Sequence, residues 1–370
     1  MNARASRPIR SSASNRCRWA TALAALLTPI TAGCQVSAAC EPPAAAATPA
    51  DLAAADQPPP DYPFGPASAW RTGVGGVSVA ATSTTGIANL ATAVSDRYGG
   101  VAAFNAGRFG NNLYTADPAT PRVDVAFDDC QHKGYVPDGL TGPEGQFTGV
   151  PVPAGAIPAA GTDRMMSIYS PSSDQLWEFW VMQRSPDGGW SACWGGRIDA
   201  VSQSPGYFLH GFGATATGLS GTGGMVSLAD VRSGTIEHAV SLVIPDPAVA
   251  SRYSWPAQRS DGDNTDPQAI PEGTRLRLDP SVALDGPRLT PVARMIARAA
   301  QRYGFLVTDK GPAVAVVAEG GTAESEATGR DPWRELLGPT PDYQVLKNFP
   351  WNRLQVLPHD YGKPTTGRCT

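Results

Sequence analysis

Residues 175–196 read QLWEFWVMQRSPDGGWSACWGG, and this stretch decides the fold class. Two aromatic-rich runs flank Ser185-Pro186-Asp187-Gly188-Gly189, a turn sequence, so the stretch reads as a β-hairpin with strands over 175–184 and 190–198. Alternation puts Leu176, Glu178, Trp180 and Met182 on one face and Trp177, Phe179 and Val181 on the other. Working outward, segments 122–128, 164–169, 234–244, 274–279 and 313–318 carry the same signature, broken by Gly, Pro, Asn or Asp. Two helices interrupt the pattern. In 290–303, Thr290 is an N-cap, Pro291 takes the first position and Gly304 follows the end, with Val292, Met295, Ile296, Ala299 and Tyr303 on one face and Arg294, Arg298 and Arg302 on the other. The second covers 87–98, with Ile87, Leu90, Ala91 and Val94 in register.

Composition agrees with these strands. Charged residues make up 17 %, below the usual quarter, and the chain holds 40 Gly and 35 Pro. A turn-rich, charge-poor chain implies a mainly β fold, expected to be a jelly-roll-like β-sandwich with two packed α-helices. That single domain is expected to span 63–370.

The N-terminus has a different chemistry. Arg4, Arg7, Arg10, Arg16 and Arg18 precede an apolar run from Trp19 to Ala32, the basic and hydrophobic regions of a secretory signal over residues 1–38. Thr31-Ala32-Gly33-Cys34 resembles a lipobox, in which Cys34 would be lipidated and anchor the protein to a membrane. A rival cut after Val36-Ser37-Ala38 would release it instead. Residues 39–62 follow as a Pro/Ala-rich tether. The expected location is extracytoplasmic, secreted or tethered. The net charge is −4, and loss of the five signal arginines leaves −9, which argues against a nucleic-acid partner. Of six cysteines, Cys17 and Cys34 belong to the signal region; the expected pairs are Cys130–Cys193 and Cys40–Cys369.

Four stretches could carry chemistry. Glu178 lies among aromatics beside Trp180, a setting that would raise its pKa and suit a general acid; the plainer reading is a hydrogen-bonded core acid. In 234–244 (GTIEHAVSLVI) parity puts His238 on the apolar face and Glu237 on the polar one. Residues 252–279 supply Trp255 as a second sugar platform, and Arg275 and Arg277 as a pair able to grip carboxylates, or else to form surface ion pairs. Within them, Asp261-Gly-Asp263-Asn264-Thr-Asp266 has the oxygens for Ca²⁺ but lacks the twelve-residue EF-hand frame, so a solvated turn is expected, with no metal and no cofactor. Finally, the Gly-rich segment 195–218 carries Tyr207 and His210. Rossmann, P-loop, HExxH and G-x-S-x-G patterns are missing from the sequence.

The ordered motifs WEFW, WSACWGG, SPGYF, ATATGL, GTIEHA, WPAQRSDG, IPEGTRLRLDP, AQRYG and FPWNRL, over roughly residues 145–357, resemble a family of exported, largely uncharacterised bacterial proteins. The resemblance implies one continuous domain and brings no activity with it. From the residues, the favoured expectation is a glycoside hydrolase acting on a polysaccharide or other glycan, with Glu178 as acid and Glu237 as base or nucleophile, and Trp180 and Trp255 as stacking surfaces. A polysaccharide lyase using His238 or His210, Tyr207 and Arg275 is the alternative enzyme, and a carbohydrate-binding or scaffold module the non-catalytic one.

Overall fold

A computed structural model describes residues 62–286 and 288–364. The expected signal, the lipidation site, nearly all of the tether and the Cys40–Cys369 pair lie outside the described residues. Tyr62, expected as the tether's last residue, already belongs to the fold: its hydroxyl donates to the Gly223 carbonyl at 2.7 Å and its ring stacks on His238.

A six-stranded mixed sheet organises the molecule, in the order Ala103–Asn105, Ala315–Val317, Val240–Ile244, Phe305–Lys310, Arg275–Leu278, Leu354–Val356. Parity divides its two faces. Val240, Leu242, Phe305, Val307, Leu276 and Val316 enter one core with Ile87, Leu90 and Val94 of the Ser83–Ser95 helix and Val292 and Ile296 of the Pro291–Arg302 helix. Each such side chain contributes about 1.5–3 kcal/mol of burial. The second helix begins as its sequence dictates, with Thr290 accepting the Ala293 N–H at 3.1 Å. Gly304 ends it for two reasons: φ is +80°, and a Cβ there would lie 2.5 Å from the Leu276 carbonyl oxygen.

The other face carries shorter side chains, including Ser241, Val243, Thr308, Ala315 and Val317. Beyond it lies a four-stranded sheet, ordered Trp194–Asp199, Gln175–Trp180, Met166–Ser170, Asn112–Thr115. Between the sheets sits the glycine turn Gly221–Gly224, packed so tightly that a Cβ on Gly223 would be 2.3 Å from Trp70 Nε1. Gly224 abuts the same indole and Ser241, so the motif Ser220-Gly-Thr-Gly-Gly acts as a spacer that sets the interlayer distance. Two smaller sheets complete the β structure: Arg122–Val123 with Val150–Pro151, and Val125–Phe127, Trp190–Ala192 and Gln183–Arg184.

The fold is thus mainly β, but its connections depart from the antiparallel pattern of a jelly roll. Four of the eleven strand pairings among the described residues are parallel. Parallel pairing needs crossovers, and the chain between the parallel strands Val240–Ile244 and Phe305–Lys310 holds both the Arg275–Leu278 strand and the Pro291–Arg302 helix. The expected Cys130–Cys193 bond is present, with Cα atoms 5.5 Å apart. Among the described residues no helix is long and apolar enough to cross a membrane.

Candidate functional site

The small side chains on the inner face of the large sheet leave a cavity of about 910 Å³ between it and the smaller layers. A β-bulge shapes the floor. Leu242 pairs with Val307, but the next residue, Val243, pairs with Asp309, so Thr308 is an extra residue in its strand. Simple alternation would turn Asp309 toward the helices. The bulge turns it inward instead, and Thr308, Asp309 and Lys310 all line the cavity.

The opposite wall follows from strand register. Trp180 pairs directly with Trp194 across neighbouring strands, so both indoles face the cavity side by side. Trp180 donates weakly from Nε1 to Asp163 at 3.4 Å. Trp194 is held more fully, donating to the Gly211 carbonyl at 3.2 Å and stacking on Phe212. The disulfide ties the chain around Cys130 to Cys193, the neighbour of Trp194, and so carries Gln131 and Lys133 over the cavity. Asp129 orders that loop by accepting the Lys133 and Gly134 N–H groups at 2.7 Å each. The Lys133 ammonium lies 4.0 Å from the Trp194 ring centroid, a cation–π contact, and burial lowers its pKa, followed by repulsion from Arg259. Two further aromatics stand at the rim, Tyr98 (71 % exposed) and Phe109 (40 %).

Carboxyl groups from three separate segments meet at one end. Oxygens of Asp261, Glu272 and Asp309 lie within 4.8 Å of one another, with Asp261 and Asp309 on the cavity surface. Burial, and then repulsion from Asp261 and Glu272, holds the pKa of Asp309 well above its ordinary value. Burial, reinforced by Asp261, pushes Glu272 up to about 7. Arg259 is adjacent, yet its guanidinium is committed to the carbonyls of Ala216, Gly213 and Thr215.

Of the nine residues expected from sequence, Trp180 lines this cavity. Glu178 is 0 % exposed and sits just behind the wall. It accepts hydrogen bonds from the Ser220 hydroxyl at 2.6 Å and from the Gly221 and Thr222 N–H groups at 2.8 Å each, holding the start of the glycine turn. Burial raises its pKa against the pull of those three donors. Glu237, 6 % exposed, accepts from Arg302 at 2.7 Å and Tyr303 at 2.9 Å on a single oxygen. The two acids share no hydrogen-bonding partner in these networks. His238 is buried between Tyr62, the Ala239 carbonyl and Asp230.

Arg275 and Arg277 do share the inner face, but the 69–74 segment covers it. Arg275 donates to the Ala69 and Tyr303 carbonyls, with burial pushing its pKa down to about 10. Arg277 donates to the Val74 carbonyl and the Gln355 side chain. The half-buried Trp255 receives an Asp360 acceptor on its backbone N–H, Tyr207 bridges to Leu219, and His210 is exposed at φ +57°. The geometry therefore gathers Trp180 with Trp194, Lys133, Asp163, Asp261 and Asp309, and leaves the expected acid pair, both histidines and both arginines outside the cavity lining. Comparison with known proteins adds no neighbour: no family profile, no curated protein and no solved structure matches this chain.

Proposed function

We propose that this is an exported glycan-binding protein whose binding site is the cavity between the sheets. One observation carries the reading: two adjacent indoles, Trp180 and Trp194, form one wall of a 910 Å³ space whose opposite floor is polar and acidic. Sugars present exactly this duality, with apolar C–H faces that stack on aromatic rings and hydroxyl edges that need acceptors and donors. Asp163, Asp261, Asp309, Thr308 and Lys133 supply the polar partners. The basic and apolar N-terminal pattern, the lipobox-like Cys34 and the disulfide support an extracytoplasmic site of action.

Binding is favoured over hydrolysis because Glu178 and Glu237 are each committed to a local network, with no position on the cavity surface. Hydrolysis has one observation of its own. Asp309, whose pKa is raised by burial, lies within 4.8 Å of the exposed Asp261, two carboxyls in unlike surroundings. A glycan array followed by a reducing-end assay on the polysaccharides that bind separates the two. The proposal expects saturable binding without sugar release. Release that is lost in Asp309→Asn would install the hydrolase in its place, and no binding to any glycan would remove both.

A further inference from the structure

Asp261, Glu272 and Asp309 come from a loop, a turn before a strand and a bulged strand, so no local motif brings them together. Three converging carboxyls are costly unless something compensates their charge. Among the described residues, none of the three has a Lys, Arg or His ion pair. The neighbouring Lys310 is paired with Asp263 at 2.6 Å, and Arg259, whose charge acts on all three carboxyls, gives its N–H groups to backbone carbonyls. The second observation is an orphaned acceptor inside the cluster. Glu272 is 0 % exposed; one of its oxygens accepts the Asp261 N–H at 3.1 Å, while Oε1 accepts no hydrogen bond from any described group. A fully buried carboxyl oxygen without a donor is a position that a bound cation would satisfy.

We infer that Asp261, Glu272 and Asp309 form a Ca²⁺ site that opens onto the cavity. All three ligands are hard oxygens, which disfavours zinc and copper and suits Ca²⁺, Mg²⁺ or Mn²⁺. Of these, Ca²⁺ tolerates a wider and less regular spread of ligands than Mg²⁺. Two oxygens on one Ca²⁺ at about 2.3–2.6 Å can stand about 4.6–5.2 Å apart, whereas the about 2.0–2.1 Å of Mg²⁺ limits them to about 4.2 Å. The oxygens of the cluster, all within 4.8 Å of one another, are close enough to share one Ca²⁺. Because Asp261 and Asp309 face the cavity, the remaining coordination positions would face it too. The rest of the 261–266 run is used elsewhere: Asp263 binds Lys310, Asn264 accepts the Asp266 N–H and Asp266 accepts the Gln268 N–H. The site therefore borrows one ligand from that run and is not an EF-hand. It does not depend on the glycan reading, although a bound cation would keep Asp309 ionised and weaken the hydrolase alternative.

The test is calcium chloride titration of the EDTA-stripped, purified protein by calorimetry and thermal melting, with no glycan present. The expected result is saturable one-to-one binding and a rise in melting temperature, with Asp261→Asn lowering Ca²⁺ affinity by about tenfold or more. Asp261 is exposed, so this variant should fold; Asp263→Asn, two residues away and outside the cluster, should bind Ca²⁺ as wild type does. Absence of saturable binding in the wild type, or equal affinity in wild type and Asp261→Asn, would overturn the site. Tighter Mg²⁺ than Ca²⁺ binding would overturn the choice of ion. Glycan binding that persists in EDTA leaves these readouts untouched, so the two proposals fail separately.

Discussion

Replacing Glu178 by Gln changes one atom in a site built for a carboxylate. Ser220, Gly221 and Thr222 all donate to it, at 2.6, 2.8 and 2.8 Å, and the Ser220 hydroxyl is oriented by accepting the Gly223 N–H at 3.0 Å. An amide keeps one acceptor oxygen and turns an NH₂ group on donors, so at least one bond is lost and a buried N–H is left unpaired. A hydrogen bond to a charged group is worth about 1.5–3 kcal/mol and an orphaned buried donor costs about 1–3 kcal/mol, which sums to about 2.5–6 kcal/mol. With roughly 2–4 °C per kcal/mol for a domain approaching this size, the melting temperature should fall by about 5–24 °C. Glu237→Gln is the internal comparison. Arg302 and Tyr303 both donate to one Glu237 oxygen, which an amide can still supply, so only the charge is lost and the cost should be about 1–2 kcal/mol. Differential scanning fluorimetry of the two variants measures both. A Glu178→Gln melting point within about 2 °C of wild type would refute the assignment of Glu178 to the glycine turn.

Helix packing is tested by Ile296→Asp, which buries an unpaired charge and should cost more than about 3 kcal/mol, against Arg298→Asp, whose side chain is 61 % exposed and should cost under about 1 kcal/mol; equal melting shifts would mean the face is misread. Reduction of Cys130–Cys193, which closes a 63-residue separation, should cost about 4 kcal/mol in chemical denaturation, and should weaken ligand binding by freeing the Lys133 loop; an unchanged denaturation midpoint would contradict it. Burial pushes Glu319 up to about 7, so the folded state holds a proton that the unfolded chain releases near its ordinary carboxylate pKa. Its stabilising contribution is therefore complete at low pH and lost as pH rises through about 7, and Glu319→Gln should shrink the drop in melting temperature between pH 5 and pH 8. An identical drop in the variant would remove Glu319 from the explanation.

The parts of this molecule governed by local rules were legible in the sequence. The Pro291–Arg302 helix shows its cap, its proline and its apolar stripe, and the 175–196 hairpin its turn and alternation. Alternation also placed Arg275 and Arg277 together on one face. What it could not supply was the layer beyond: whether that face meets solvent or, as here, the 69–74 segment. The acid pair failed to meet at the cavity for a related reason, since Glu178 finds its donors 42–44 residues away. The Asp309 carboxyl was hidden by the bulge, because strict period-two reading of FLVTDK turns it toward the helices. The visible signal was Thr308-Asp309-Lys310, three polar residues ending an apolar strand, a pattern that strand termini share for many reasons. Glu272 and Asp261 were individually visible, but their meeting with Asp309 is a property of the tertiary fold.

The most direct test of the central claim is calorimetric titration of wild type and Trp180→Ala with an oligosaccharide that scores on the glycan array. Trp180 is half-buried, its indole makes one weak hydrogen bond, and its truncation should leave the core standing. Loss of an aromatic stacking contact worth about 0.5–1.5 kcal/mol would weaken binding by about 2- to 13-fold, with the melting temperature nearly unchanged. Equal affinity in Trp180→Ala and wild type would place the sugar somewhere other than this cavity and contradict the account.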